Sequence, residues 1–244
     1  MKKILLLIAC MVISGLVYSQ DDKGHTTLKQ VEVSPPEFTG INGVTGFLNK
    51  ENTRSTLLSD YMKNHVQYPE IDIERINEGK VIVRFMVNPD GSLTNFTVVN
   101  SVSPSIDEEV ISALKTTEGM WKPGYNNEVK VPMEKEFSMV FKITGTRDLL
   151  SKATTEFQKG NKLLLLKSNP KRALQHFEQG LVYVPESKPL LFLCGLSRYE
   201  LGDKDGACKE WNRVKSLGGI EADGWLDNYC EMDGYAEMMK TIGE

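Results

Sequence analysis

Cysteine and histidine are scarce in this 244-residue chain, four and three respectively, and none is spaced for chemistry. No two cysteines stand at the two-residue spacing of a thioredoxin-like or zinc site. His25, His65 and His176 are scattered, with no i, i+4 pair around a glutamate, so neither a zinc protease helix nor a nucleophile–histidine relay is suggested. A Gly-x-Ser-x-Gly elbow and a Walker loop are both missing. Gly40, Gly43 and Gly46 have suggestive spacing, but no apolar strand leads into Gly40 and no Lys-Ser/Thr follows Gly46, so they read as a surface loop. Asp107-Glu108-Glu109 is an acidic helix start that suits the helix dipole and needs no catalytic role. These absences point away from an enzyme and imply no metal and no cofactor. Basic clusters are lacking too: 29 Lys and Arg face 33 Asp and Glu, net −4, and nothing tracks a phosphate backbone, which argues against a nucleic-acid partner.

Long apolar runs are confined to Ile4–Val17, short of the roughly 20 residues that span a bilayer as a helix. Met1-Lys2-Lys3 precedes that run and Tyr18-Ser19-Gln20-Asp21-Asp22 follows it, the order of a secretory signal over residues 1–20. An uncleaved inner-membrane anchor is one alternative, and acylation of Cys10 in Leu7-Ile8-Ala9-Cys10 is another. The remainder, with 40% hydrophobic and 25% charged residues overall, has the composition of a soluble protein with one or two cores. Residues 21–54 are polar and turn-rich, with a short edge strand expected at Val31-Glu32-Val33. Loss of the signal leaves Cys194, Cys208 and Cys230, at most one pair and a free thiol. Either Cys208 and Cys230 meet as a disulfide, or all three are small buried apolar side chains.

Residues 55–146 carry the clearest pattern. Leu57, Leu58, Tyr61, Met62 and Val66 recur at helical spacing, and Pro69 forces Tyr68 to be extended. Val81, Val83, Phe85 and Val87 then alternate along a strand, Asn88-Pro89-Asp90-Gly91 turns the chain, and a return strand runs from about Leu93 to Ser101. Ser105-x-x-Glu108 suggests a capping box ahead of a helix with Ile106, Val110 and Leu114 on one face. From Val129 to Ile143 apolar residues alternate again, which predicts one long strand, with Pro132 confining its first half to a sheet edge. The predicted order is helix, strand, strand, helix, strand.

Gln67-Tyr68-Pro69, Glu78-Gly79-Lys80-Val81, the Asn-Pro-Asp-Gly turn, Trp121-Lys122-Pro123-Gly124 and Phe141-Lys142-Ile143 occur in an order and spacing that resemble the C-terminal domain of TonB. That family carries energy from the inner to the outer membrane. The resemblance implies an α+β fold with an antiparallel sheet, and capture of the TonB box, a short segment of an outer-membrane receptor. The implied mode is strand addition along Glu136–Ile143, where Glu136, Ser138, Val140 and Lys142 meet the peptide and Gln67, Tyr68 and Pro69 flank it. An exposed edge also permits pairing with a second copy, a homodimer.

After Thr146 the period changes to 3.6, and Ala173, Phe177 and Gly180 align with Ala207, Trp211 and Val214 at a separation of 34 residues. That period resembles the tetratricopeptide repeat. Two all-α units are expected over residues 147–219, with helices near Arg147–Leu166, Pro170–Val182, Lys188–Leu201 and Asp203–Leu217, followed by a capping helix within residues 220–244. Such repeats imply a protein partner. No membrane-spanning helix or long proline-rich tether of the energy transducers is evident. The expected protein is therefore periplasmic, TonB-like, and supports receptor-linked transport. The alternative is a secreted scaffold that keeps the fold without energy transduction and binds other proteins through its repeats.

Overall fold

The structure, a computed structural model, describes residues 16–20, 26–30, 32–40 and 55–230. Most of the expected signal, including Cys10, lies outside these residues, as do Gly43, Gly46 and the end of the expected cap beyond Cys230. Among the described residues no helix is long and apolar enough to cross a membrane. Strands β1 (Leu16–Gln20) and β2 (Thr26–Gln30) pair antiparallel.

The antiparallel sheet predicted for the centre is present. β5 (Gly79–Val87) lies between β6 (Leu93–Asn100) and β10 (Met133–Phe141), which makes β10 an outer strand. The chain divides into two compact units, and these strands and helix α3 (Pro104–Lys115) each contribute to both.

One unit comprises the chain up to Lys63, Phe85–Phe96 and Leu114–Lys135. Helix α1 (Ser55–His65) buries Leu58 and Met62, as its spacing predicts. The Trp121 ring meets Phe38 and Phe85, both at 5.4 Å, and its Nε1 donates to Thr117 Oγ1 at 2.9 Å. Between β5 and β6, Gly91 N donates to Asn88 O and Asn88 N to Ser92 O, each at 2.9 Å. Gly91 has φ 84°, the positive value that the turn needs and that glycine adopts without a Cβ clash. The long strand expected from Val129 to Ile143 is instead broken at Pro132. β9 (Val129–Val131) pairs with β8 (Gly124–Asn126), in a sheet ordered β3-β8-β9 with β3 at Val33–Ser34, whereas β10 begins at Met133. Proline cannot donate a ladder hydrogen bond, so the chain changes sheets there. β3 overlaps the strand expected at Val31-Glu32-Val33 at Val33 alone, Val31 lying outside the described residues, and β4 (Glu37–Phe38) pairs with β7 (Trp121–Lys122).

The second unit holds Asn64–Arg84, Thr97–Ala113 and the chain from Glu136. Its α3 cap differs from the expected one. Ser103 Oγ accepts from Ile106 N at 3.2 Å, and Asp107 Oδ1 reaches back to accept from Val102 N at 3.2 Å. Ser105 instead donates to Asp72 Oδ2 at 2.5 Å. Pro104, at the first helical position, is the sequence signal that marks Ser103 as the cap.

The helices beyond Thr146 follow the predicted spans closely: α4 (Leu149–Lys167), α5 (Pro170–Tyr183), α6 (Lys188–Glu200) and α7 (Lys204–Ser216). Asp148, Asn169 and Asp203 cap α4, α5 and α7 by accepting from Ser151 N, Arg172 N and Gly206 N. Each hairpin seats an aromatic ring over a glycine. A Cβ on Gly160 would lie 2.3 Å from Phe177 Cε1, and one on Gly195 would lie 2.3 Å from Trp211 Nε1. The rings are 34 residues apart and the glycines 35, so the repeat reports one packing device used twice.

Helix α8 (Asp223–Tyr229) follows, and Cys208 and Cys230 are joined by a disulfide, with Cα atoms 5.7 Å apart. Cys194 is a free buried thiol whose pKa burial pushes up, so it stays protonated. The bridge closes a loop of 22 residues, and loop-closure entropy predicts that reduction lowers stability by about 3 kcal/mol. Denaturant melts with and without reductant measure this, and coincident curves would show that the bridge adds nothing.

Candidate peptide-binding edge

β10 alternates as a half-buried strand should. Phe137 and Phe141 are buried in the core, while Glu136, Ser138 and Val140 are exposed. Arg84 of β5 reaches Glu136 at 3.4 Å. Both groups are nearly half exposed, so the pair adds little to stability.

The approach to this strand is built by residues 67–77. Gln67 is exposed, and its backbone N–H donates to Glu109 Oε1 at 2.9 Å. Tyr68 lays its ring against Phe141, centroids 5.2 Å apart in an edge-on contact, and donates its hydroxyl to Asn77 O at 2.6 Å. Burial, with the negative charges of Glu78 and Asp72, pushes the phenol up to about 12, so it remains a donor at any physiological pH. Pro69 precedes α2 (Glu70–Glu74), a short helix without apolar periodicity that the sequence did not reveal.

Asp72 is 1% exposed and organises this corner. It accepts from Asn77 Nδ2 at 2.7 Å and from Ser105, while Asn77 N donates to Asp72 O at 2.9 Å. Burial alone would raise its pKa, but the hydrogen bonds from Asn77, Ser105 and Ser103 and the charge of Arg75 hold it below the ordinary value. This clamp keeps Ile76 at φ 55°, an unfavourable value for a β-branched residue. Ile71, Ile73 and Ile76 are all exposed around it.

Lys142 differs from the other residues expected along the edge. Its ammonium is turned into the protein, 3.2 Å from Glu78 Oε1, 2.9 Å from Ile143 O and 3.0 Å from Thr146 O. The structure therefore sets Tyr68 against Phe141 at the end of β10, leaves Glu136, Ser138 and Val140 exposed along that strand, places Gln67 against Glu109, and engages Lys142 elsewhere. Sequence reasoning missed Glu78, whose partners lie more than 60 residues away, and Asp72, which looks like an ordinary surface acid in a polar stretch.

A separate concavity of about 180 Å³ lies in the helical region, lined by Leu150, Ala153, Phe157, Val184, Pro189 and Leu190 among others. Among the described residues no group of His, Cys, Asp and Glu is placed to hold a metal ion.

Comparison with known proteins bears on the sheet-containing part. Residues 64–143 match the model of the Gram-negative bacterial TonB protein C-terminal family. Two solution structures of the Helicobacter pylori TonB C-terminal domain are 20% and 22% identical over 39% and 40% of this chain, covering 100% and 90% of theirs, both with a TM-score of 0.32. That of Pseudomonas aeruginosa is 27% identical over 34% of this chain and 82% of its own, with a TM-score of 0.26. No curated protein matches the chain. The matched stretch coincides with the motifs that carry the resemblance, so residues 64–143 form a TonB C-terminal-like domain, followed in this chain by a helical region.

Proposed function

We propose that this chain captures the TonB box of an outer-membrane receptor by adding it as a strand to β10, in support of TonB-dependent transport. The observation that carries this reading is the position of β10, among the described residues, as an outer strand of the β10-β5-β6 sheet, with Glu136, Ser138 and Val140 exposed along it and Tyr68 packed on Phe141 at its end. Main-chain hydrogen bonds along an open edge supply affinity, and the flanking side chains select register. The match of residues 64–143 to the TonB C-terminal family supports the same partner. We place the protein in the periplasm, since the Cys208–Cys230 disulfide suits an oxidising compartment. The helical hairpins would hold a further protein, for which the apolar concavity beside Leu150 and Leu190 is the candidate contact.

Binding of a synthetic receptor-box peptide, followed by calorimetry, tests this. Ser138→Pro removes an N–H at the middle of the edge and is expected to weaken binding at least tenfold. Gln67→Ala is expected to weaken it several-fold. If the peptide does not bind the unmodified protein, or binds it and both variants equally, the scaffold reading takes precedence.

A further inference from the structure

Three consecutive residues, Glu78, Gly79 and Lys80, each meet the helical region at a different point. The Glu78 carboxylate is fully buried and accepts from Ile143 N at 2.6 Å, from Thr146 Oγ1, from Lys142 and from Lys152 of α4. Gly79 faces α5 with no room for a side chain, as a Cβ there would stand 2.6 Å from Val182 O. Lys80 pairs with Glu186, in the turn after α5. Asn100 of β6 adds a hydrogen bond to Lys80 O at 2.6 Å, which fixes the same segment from the sheet side.

Glu78 thus joins two things at once. Through Ile143 N and Lys142 it holds the segment directly after β10, and through Lys152 it holds the first helix of the appended hairpins. A buried carboxylate between two ammonium groups is strongly favoured only while both remain, because removal of either leaves a fully buried charge poorly balanced. The end of the candidate binding strand is therefore set partly by a residue of the helical region.

We infer that Lys152 is a positioning residue for the peptide-binding edge: through Glu78 it fixes the exit of β10, so that the helical hairpins complete the binding site instead of hanging from it as an independent module. This inference rests on the strand-addition reading for its functional part. Its structural part, the fixing of Ile143 and Thr146 by Glu78 and Lys152, stands without it.

The test uses the full chain with Lys152→Met, Lys152→Arg and, as a control on the same helix, Lys159→Met, whose own side chain is half exposed and whose partner Glu156 bonds Lys159 and His176, not the Glu78 network. Amide hydrogen exchange at Ile143 and over residues 142–147 is measured together with the affinity for the receptor-box peptide. Lys152→Met is expected to speed exchange at Ile143 at least tenfold and to weaken the peptide several-fold, with a cooperative melt retained. Lys152→Arg is expected to restore both, and Lys159→Met to change neither. Unchanged exchange in Lys152→Met overturns the inference, and so does faster exchange with unaltered peptide affinity. Should the unmodified protein fail to bind the peptide, the strand-addition reading and the positioning role fall together, while exchange at Ile143 still decides whether Lys152 fixes the strand exit.

Discussion

Glu78→Ala is expected to cost 3–5 kcal/mol at neutral pH, the range for breaking a buried ion pair by removing one partner. The truncation leaves the Lys142 and Lys152 ammonium groups without their shared counter-charge and Ile143 N without its acceptor. The pH dependence distinguishes this from a simple packing defect. Burial alone would raise the Glu78 pKa, but hydrogen bonds from Lys152, Thr146, the Ile143 N–H and Lys142 outweigh it and bring the group from 4.5 down to about 2. A carboxyl that titrates lower in the folded chain than in the unfolded one stabilises the fold above the unfolded value, and that contribution drains away as pH falls from about 4.5 toward 2. The shift corresponds to roughly 3 kcal/mol. Glu78→Gln should therefore be much less stable than the parent at pH 7 and nearly equal to it near pH 2. Denaturant melts of both proteins across that window measure it, and parallel stability curves would contradict the assigned network.

Trp211→Ala is expected to lower stability by a further-reaching 3–5 kcal/mol, as large-to-small changes at fully buried aromatic positions do. The ring is 0% exposed, lies over Gly195, contacts Trp225 at 5.1 Å and donates Nε1 to Phe192 O at 3.2 Å. Its loss opens a cavity between α6 and α7, removes the indole hydrogen bond and takes away the ring on which Trp225 of α8 packs. Gly195→Ala approaches the same contact from the other helix. Its methyl group must displace the indole, which predicts a loss of about 1–3 kcal/mol. Urea denaturation ranks the two, and a change below 0.5 kcal/mol in both, the size typical of surface sites, would mean that the hairpin does not close through this ring.

Local signals made much of this fold legible. Asn88-Pro89-Asp90-Gly91 specified its turn through proline at the second position and a glycine at φ 84°. Pro170 marked the start of α5, and the 34-residue separation of Ala173 from Ala207 and of Phe177 from Trp211 carried the repeat. The errors arose where two local readings competed or where partners were distant. Ser105-x-x-Glu108 matched the capping-box pattern whereas Ser103-x-x-Ile106 does not, and only Pro104 points to Ser103 as the cap. Alternating apolar residues continued across Pro132, which hid the change of sheet there. Glu78 carried no local mark of burial, because its four donors come from residues 142–152.

The break at Pro132 also governs how concentrated solutions of this protein should behave. A continuous strand from Val129 to Ile143 would present a long flat template on which further copies could stack and grow into fibres. Because the chain leaves one sheet for another at the proline, the open template is shortened to the nine residues of β10. Exposed Glu134 and Glu136 then place like charges wherever identical strands meet in parallel register. Shortened and charged in this way, the strand is a poor seed for endless self-addition.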